Sequence, residues 1–183
     1  MDDIDLLSAV MAKAADLVDT VSPDQLDRPT PCSDWDVRGL LEHMVGWIRV
    51  FDVAANGDAY DGDPADYRLT DDYAARFRRS AESLVGGWRE HGLDRTVRLT
   101  SGEMPAPTVF NMTLMEYVTH GWDLATAIGV PAPFTEDEAE ATLERARQTL
   151  QPQYRGDAIG AEVAAPDDAA ATTRLAAFMG RAI

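Results

Sequence analysis

The chain carries only three histidines, and two of them fall where an imidazole can do chemistry. His120 follows Glu116 by four residues, in a stripe of Met112, Glu116, His120 and Leu124 that stacks on one side of a helix. An acid and an imidazole thus share an apolar face. His43 lies on a face with Leu40, Trp47 and Val50, so it too is directed toward a helical interior. A carboxylate on such a face costs several kcal/mol unless it is paired or bound to a metal. Two readings follow. Glu116 pairs with a protonated His120 at i, i+4, or His43 joins them and one carboxylate with two imidazoles converges on a divalent cation.

The remaining polar candidates are graded by their settings. Asp123, one turn past His120, is either an acceptor behind a ligand imidazole that orients it or a solvated helix acid. Cys32, beside a helix start, is either a nucleophile with a lowered pKa or a buried, inert thiol, and the second fits a lone cysteine better. Trp35, Trp47 and Trp122 fall near the site by helical position, as core or as pocket wall. His91, in Arg-Glu-His-Gly after a glycine-weakened helix end, is a solvated C-terminal residue with no assigned role. There is no G-x-S-x-G, H-E-x-x-H or Walker-type loop, so acyl-transfer triads and phosphoryl transfer have no support.

The elements that must position these residues are mostly helices. Ile4, Leu7, Met11, Ala14, Val18 and Val21 alternate steps of three and four, which predicts a first helix ending before Ser22-Pro23. Ser33 and Asp36 form an [ST]-x-x-[DE] signature that predicts the start of a second, with Val37, Leu41, Met44, Ile48 and Phe51 as its stripe. An acidic loop spans Gly57 to Pro64. A third helix is read from about Asp71 to Trp88, weakened in its last turn by Gly86-Gly87. Arg95 to Leu99 alternates as a short strand entering a turn at Ser101-Gly102, and Pro105 and Pro107 limit any second strand to an edge. The fourth helix runs from about Thr108 to Ile128, stopped by Gly129 and Pro131. Glu136 to Leu150 reads as helix, Gly156 to Pro166 as loop or strand, and Asp168 to Met179 as a last short helix. The expected fold is mainly all-α: a four-helix bundle over about residues 1–130 with a long connection and a short β-hairpin, and a small helical extension over about 131–183 packed on it as one domain.

Composition narrows the function. The 183 residues hold 32 acidic against 16 basic side chains, for a formal charge of -16, which disfavours nucleic acid and anionic membranes as partners. No stretch approaches the roughly 20 apolar residues of a membrane span. The acidic N-terminus lacks the pattern of a secretory signal, and a single cysteine rules out an intramolecular disulfide, so a cytoplasmic location is expected.

The phrases "TPCSDWDVRGLLEHMVG" (Thr30 to Gly46), "THGWDLATAIG" (Thr119 to Gly129) and "EVAAPDDAAATTRLAAFMGR" near the end carry a resemblance over nearly the whole chain. They resemble an actinobacterial family of metal-binding proteins in the DinB-like superfamily, related to the N-terminal domain of mycothiol-dependent maleylpyruvate isomerase. The resemblance implies a four-helix bundle whose metal triad takes one histidine from helix two and two residues four apart from the last bundle helix. Carried onto this sequence, these are His43, Glu116 and His120. It also implies a divalent metal, zinc ahead of nickel or iron, with mycothiol as a thiol cosubstrate whose sulfur takes an open coordination position. The isomerase has a further C-terminal domain, to which the shorter tail here does not align. The functions in view are therefore a thiol-dependent transferase or isomerase acting on a second small molecule, a non-catalytic bundle that binds metal or a small ligand, and a metal-free acidic bundle that joins partners through its surface. Such bundles commonly form homodimers, although no exposed stripe here demands one.

Overall fold

A computed structural model of the chain describes residues 2–156, 159–166 and 168–183. Its α-helices are α1 (Asp3–Asp19), α2 (Val37–Ala55), α3 (Tyr73–His91), α4 (Ala106–Ile128), α5 (Glu136–Thr149) and α6 (Ala171–Phe178), with strands β1 (Thr96–Leu99) and β2 (Gly102–Pro105) between α3 and α4. The mainly helical class with one hairpin agrees with the sequence. Both α1 and α2 pack on α3 and α4, so α1 and α2 take opposite corners of a four-helix bundle. The connection over residues 20–36 crosses that diagonal. Core side chains from all four helices, among them Leu7, Met11, Leu41, Met44, Ile48, Phe77, Leu84, Trp88, Phe110 and Leu114, are almost fully removed from water.

The boundaries differ from the sequence reading in ways that have local causes. Helix α2 starts at Val37, not near Ser33, because Asp36 is the residue that caps it: its carboxylate accepts from the Gly39 N–H at 2.8 Å. Residues before it are spent on a return of the chain, with Pro29 bridged to Asp36 and the Val37 N–H donating to the Arg28 carbonyl at 2.9 Å. Helix α3 runs through Gly86-Gly87 to His91. A Cβ on Gly87 would lie 2.9 Å from the Ala55 carbonyl carbon, so this glycine lets α3 approach the end of α2, and Gly92 at φ +66° ends the helix instead. His91 sits exposed in the last turn, as expected. Helix α4 begins at Ala106, since Pro107 is tolerated in a first turn, where its missing N–H has no intrahelical partner to lose.

The hairpin pairs Thr96 with Pro105 and Leu99 with Gly102, so Gly102 opens the second strand and the turn lies before it. Val97 and Leu99 face inward. Helix α5 packs on α4 and α6 packs on both. A capping box opens α5, with the Thr135 N–H donating to Glu138 Oε2 at 2.8 Å and the Glu138 N–H to Thr135 Oγ1 at 3.3 Å. The last helix starts at Ala171, later than expected, and the described residues of 156–166 form no strand. Asp157 and Ala158 of that segment lie outside the described residues. No helix among the described residues is long and apolar enough to cross a membrane.

Candidate metal centre

The site forms where α2 and α4 face each other. Tyr117 fixes their relative height: its hydroxyl donates to the Met44 carbonyl at 3.1 Å, one residue from His43 on one helix and one from Glu116 on the other. Burial pushes this phenol well above its usual pKa, which keeps it a donor. On the outer side of α2, Gly46 lets the loop after the helix close in. A Cβ there would stand 2.2 Å from the Pro64 carbonyl oxygen.

The structure brings His43, Glu116 and His120 together. One ligand-capable atom from each lies within 4.8 Å of the others. Glu116 Oε1 is 2.6 Å from His43 Nε2 and 3.6 Å from His120 Nε2. Yet Oε1 and His43 Nε2, both enclosed, have no hydrogen-bond partner, because their approach lacks hydrogen-bond alignment. Two neighbouring buried atoms of metal-ligating type, each without a hydrogen-bond partner, are what a bound cation would resolve. The carboxylate is nonetheless electrostatically prepared. Burial alone would raise its pKa, but the charges of His120, then His43, and more distantly Arg181 hold it at about 2.

Asp123 has no exposed side-chain surface, so it is not a solvated acid. Its Oδ2 lies 2.9 Å from His120 Nδ1. With a metal bound, Asp123 accepting the Nδ1 proton would leave the His120 Nε2 lone pair for the cation. Arg181, from the tail after α6, holds Asp123 in turn: its Nε donates to both carboxylate oxygens at 3.1 Å and a terminal nitrogen donates to Oδ2 at 3.1 Å. Asp123 is thus committed to His120 and Arg181 and is not a fourth ligand. The sequence reading assigned Arg181 no role. Its signal was indirect, a buried acid in α4 that requires a cation.

Of the tryptophans, Trp35 stacks on His43 with ring centroids 4.2 Å apart and meets His120 edge-on at 5.7 Å. Trp47 is tilted against His43 at 6.3 Å. Trp122 is half-buried and, among the described residues, makes no ring contact with either imidazole. Cys32 is half-buried in the turn before α2, outside the cluster of three. Burial pushes its thiol pKa up, against the nearby Arg181 charge, which suits an inert thiol and not a nucleophile. Among the described residues no fourth side chain joins the cluster, and three donors are the count of an open zinc site rather than of a closed structural one.

The family model for the mycothiol maleylpyruvate isomerase N-terminal domain matches residues 7–125. That span includes the three clustered residues, Trp35 and Asp123, while Arg181 lies beyond it. Uncharacterized proteins from two strains of Mycobacterium tuberculosis are each 31% identical over 172 residues, covering 92% of this chain and 92% of theirs. No solved structure gives a significant match. With its helical bundle and its His-Glu-His cluster in the matched span, the chain belongs to the family of the mycothiol maleylpyruvate isomerase N-terminal domain.

Proposed function

We propose that His43, Glu116 and His120 hold a divalent metal ion, zinc ahead of nickel or iron, and that the protein is a transferase or isomerase dependent on a low-molecular-weight thiol such as mycothiol. The observation that carries the metal reading is the pair of enclosed, partnerless atoms, His43 Nε2 and Glu116 Oε1, 2.6 Å apart. A bound cation would supply Lewis acidity in an open coordination position, lowering the pKa of a thiol placed there. The chain's own residues do the rest. His43 and His120 present neutral nitrogen donors, and Glu116 brings the one negative charge of the set. Asp123 holds the tautomer of His120, and Trp35 and Trp47 pack against the His43 ring. The family membership supports a thiol as the small-molecule partner. With a formal charge of -16, this reading leaves no place for nucleic acid or an anionic membrane. We place the protein in the cytoplasm, where such thiols are kept reduced.

Elemental analysis of protein purified without an affinity tag or added metal tests the first half. The expected result is about one divalent ion per chain, most of it lost in His43→Ala and His120→Ala. Full occupancy in His43→Ala overturns the site. Cobalt-substituted protein tests the second half: a small thiol should add sulfur-to-metal charge transfer, and Cys32→Ser should leave that signal intact. Full metal occupancy with no response to thiol would leave a metal-binding bundle without thiol chemistry.

A further inference from the structure

The two imidazoles of the cluster are held in different ways. His120 has the Asp123 carboxylate 2.9 Å from its Nδ1, and Arg181 braces that carboxylate. His43 has no counterpart. Its Nε2 makes no hydrogen bond, and among the described residues no carboxylate other than Glu116 lies within ion-pair distance of it. What lies against its ring is the indole of Trp35, with centroids 4.2 Å apart and planes 29° apart.

Trp35 comes from the connection before α2, and that connection is built to hold it. The Trp35 N–H donates to the Cys32 carbonyl at 3.0 Å. The Thr30 hydroxyl lies 2.8 Å from the Trp35 carbonyl and 2.9 Å from that of Cys32, so it ties both sides of the turn. The next residue, Asp36, caps the helix that carries His43. Gly39, one turn before His43 on α2, leaves room for the ring: a Cβ there would lie 3.1 Å from Trp35 Cδ1 and 3.3 Å from its Cβ.

Rotation about the last torsion of a histidine is broad and roughly two-fold, so an unbraced ring divides its time between orientations. A flat aromatic face lets the stacked ring slide but resists its tipping. On the reading that the cluster holds a divalent ion, we propose that Trp35 is a positioning residue for the metal: its indole fixes His43 with Nε2 toward Glu116 and so raises metal affinity without touching the ion. It does for His43 by stacking what Asp123 does for His120 by hydrogen bonding.

Zinc dissociation constants from competition with a chromogenic chelator test this. Trp35→Phe keeps a flat face and should bind within about twofold of the unaltered protein. Trp35→Leu keeps apolar bulk without a face and should bind about three- to tenfold more weakly. Gly39→Val crowds the indole without removing it and should shift affinity in the same direction, which keeps the test alive if Trp35→Leu does not fold. In a His43→Ala background, Trp35→Leu should cost nothing further; an equal loss there would make Trp35 merely structural and overturn the proposal. In metal-free protein, the His43 ring protons should show a ring-current shift in NMR spectra that disappears in Trp35→Leu and persists in Trp35→Phe. Zinc bound by the unaltered protein and equally well by Trp35→Leu and Gly39→Val overturns this inference alone, whereas no zinc binding by the unaltered protein overturns the metal reading with it.

Discussion

Glu116→Gln isolates the electrostatics of the cluster in metal-free protein. Burial of Oε1 raises the Glu116 pKa, and the His120, His43 and Arg181 charges more than reverse it, from 4.5 to about 2. A lowering of that size corresponds to about 3 kcal/mol of folding stability. The folded-state pKa is depressed, so this stability is fully present above the unfolded value of 4.5 and is lost as pH falls toward 2. Between pH 6 and pH 3 the unaltered protein should lose about 2 kcal/mol that Glu116→Gln does not lose. Urea denaturation in the presence of chelator, at half-unit steps across that range, measures both profiles. Glu138 and Asp72 also have lowered pKa values, but they are unaltered in both proteins and cancel in the difference. Parallel profiles for the two proteins would refute the reasoning, because they would mean that the imidazoles do not stabilise the carboxylate.

Three further outcomes follow from the same contacts. Asp123→Asn removes the carboxylate that orients His120 and should weaken zinc binding about ten- to hundredfold in chelator competition. Arg181→Leu leaves the Asp123 carboxylate, which has no exposed surface, without its cation, and should cost about 3–5 kcal/mol in urea denaturation, part of it recovered in Arg181→Lys. Gly46→Ala places a Cβ 2.2 Å from the Pro64 carbonyl oxygen, so the loop after α2 must move, and a loss of about 1–3 kcal/mol is expected by the same assay.

The helices were legible because each buries one stripe at a regular period. Ile4 through Val18 on α1 and Val37 through Phe51 on α2 show this clearly, and all but the half-buried Ile4 are deeply buried in the fold. Their ends were less so, because the residues that decide them respond to contacts distant in sequence. Gly87 looks like a helix breaker in isolation, but it is the point at which α3 touches Ala55. Asp36 outcompetes Ser33 as a cap because the chain before it is pinned to Pro29 and Arg28. Local pattern carries propensity, and these positions were settled by packing.

The site divides in the same way. A four-residue step and the cost of burying an acid were enough to single out Glu116 and His120, and helical phase added His43. The height at which α2 meets α4 depends on the Tyr117 bond to Met44, which no spacing encodes. Helical position put Trp35 near the site, but Trp35 lies ahead of α2, in the turn that Thr30 ties, and that turn rather than helical phase lays its ring on His43. Arg181 was within reach of the argument already applied to Glu116. Seven residues separate Glu116 from Asp123, which returns to within about 20° of the same direction on a helix wheel. An acid on that face needs a cation as much as Glu116 does, and one carboxylate bound to His120 cannot also balance Glu116. The cation comes from 58 residues away, on the far side of two further helices. The C-terminal tail is therefore part of the candidate site, because Arg181 reaches from it to the Asp123 carboxylate buried in α4, on the side that His120 does not occupy.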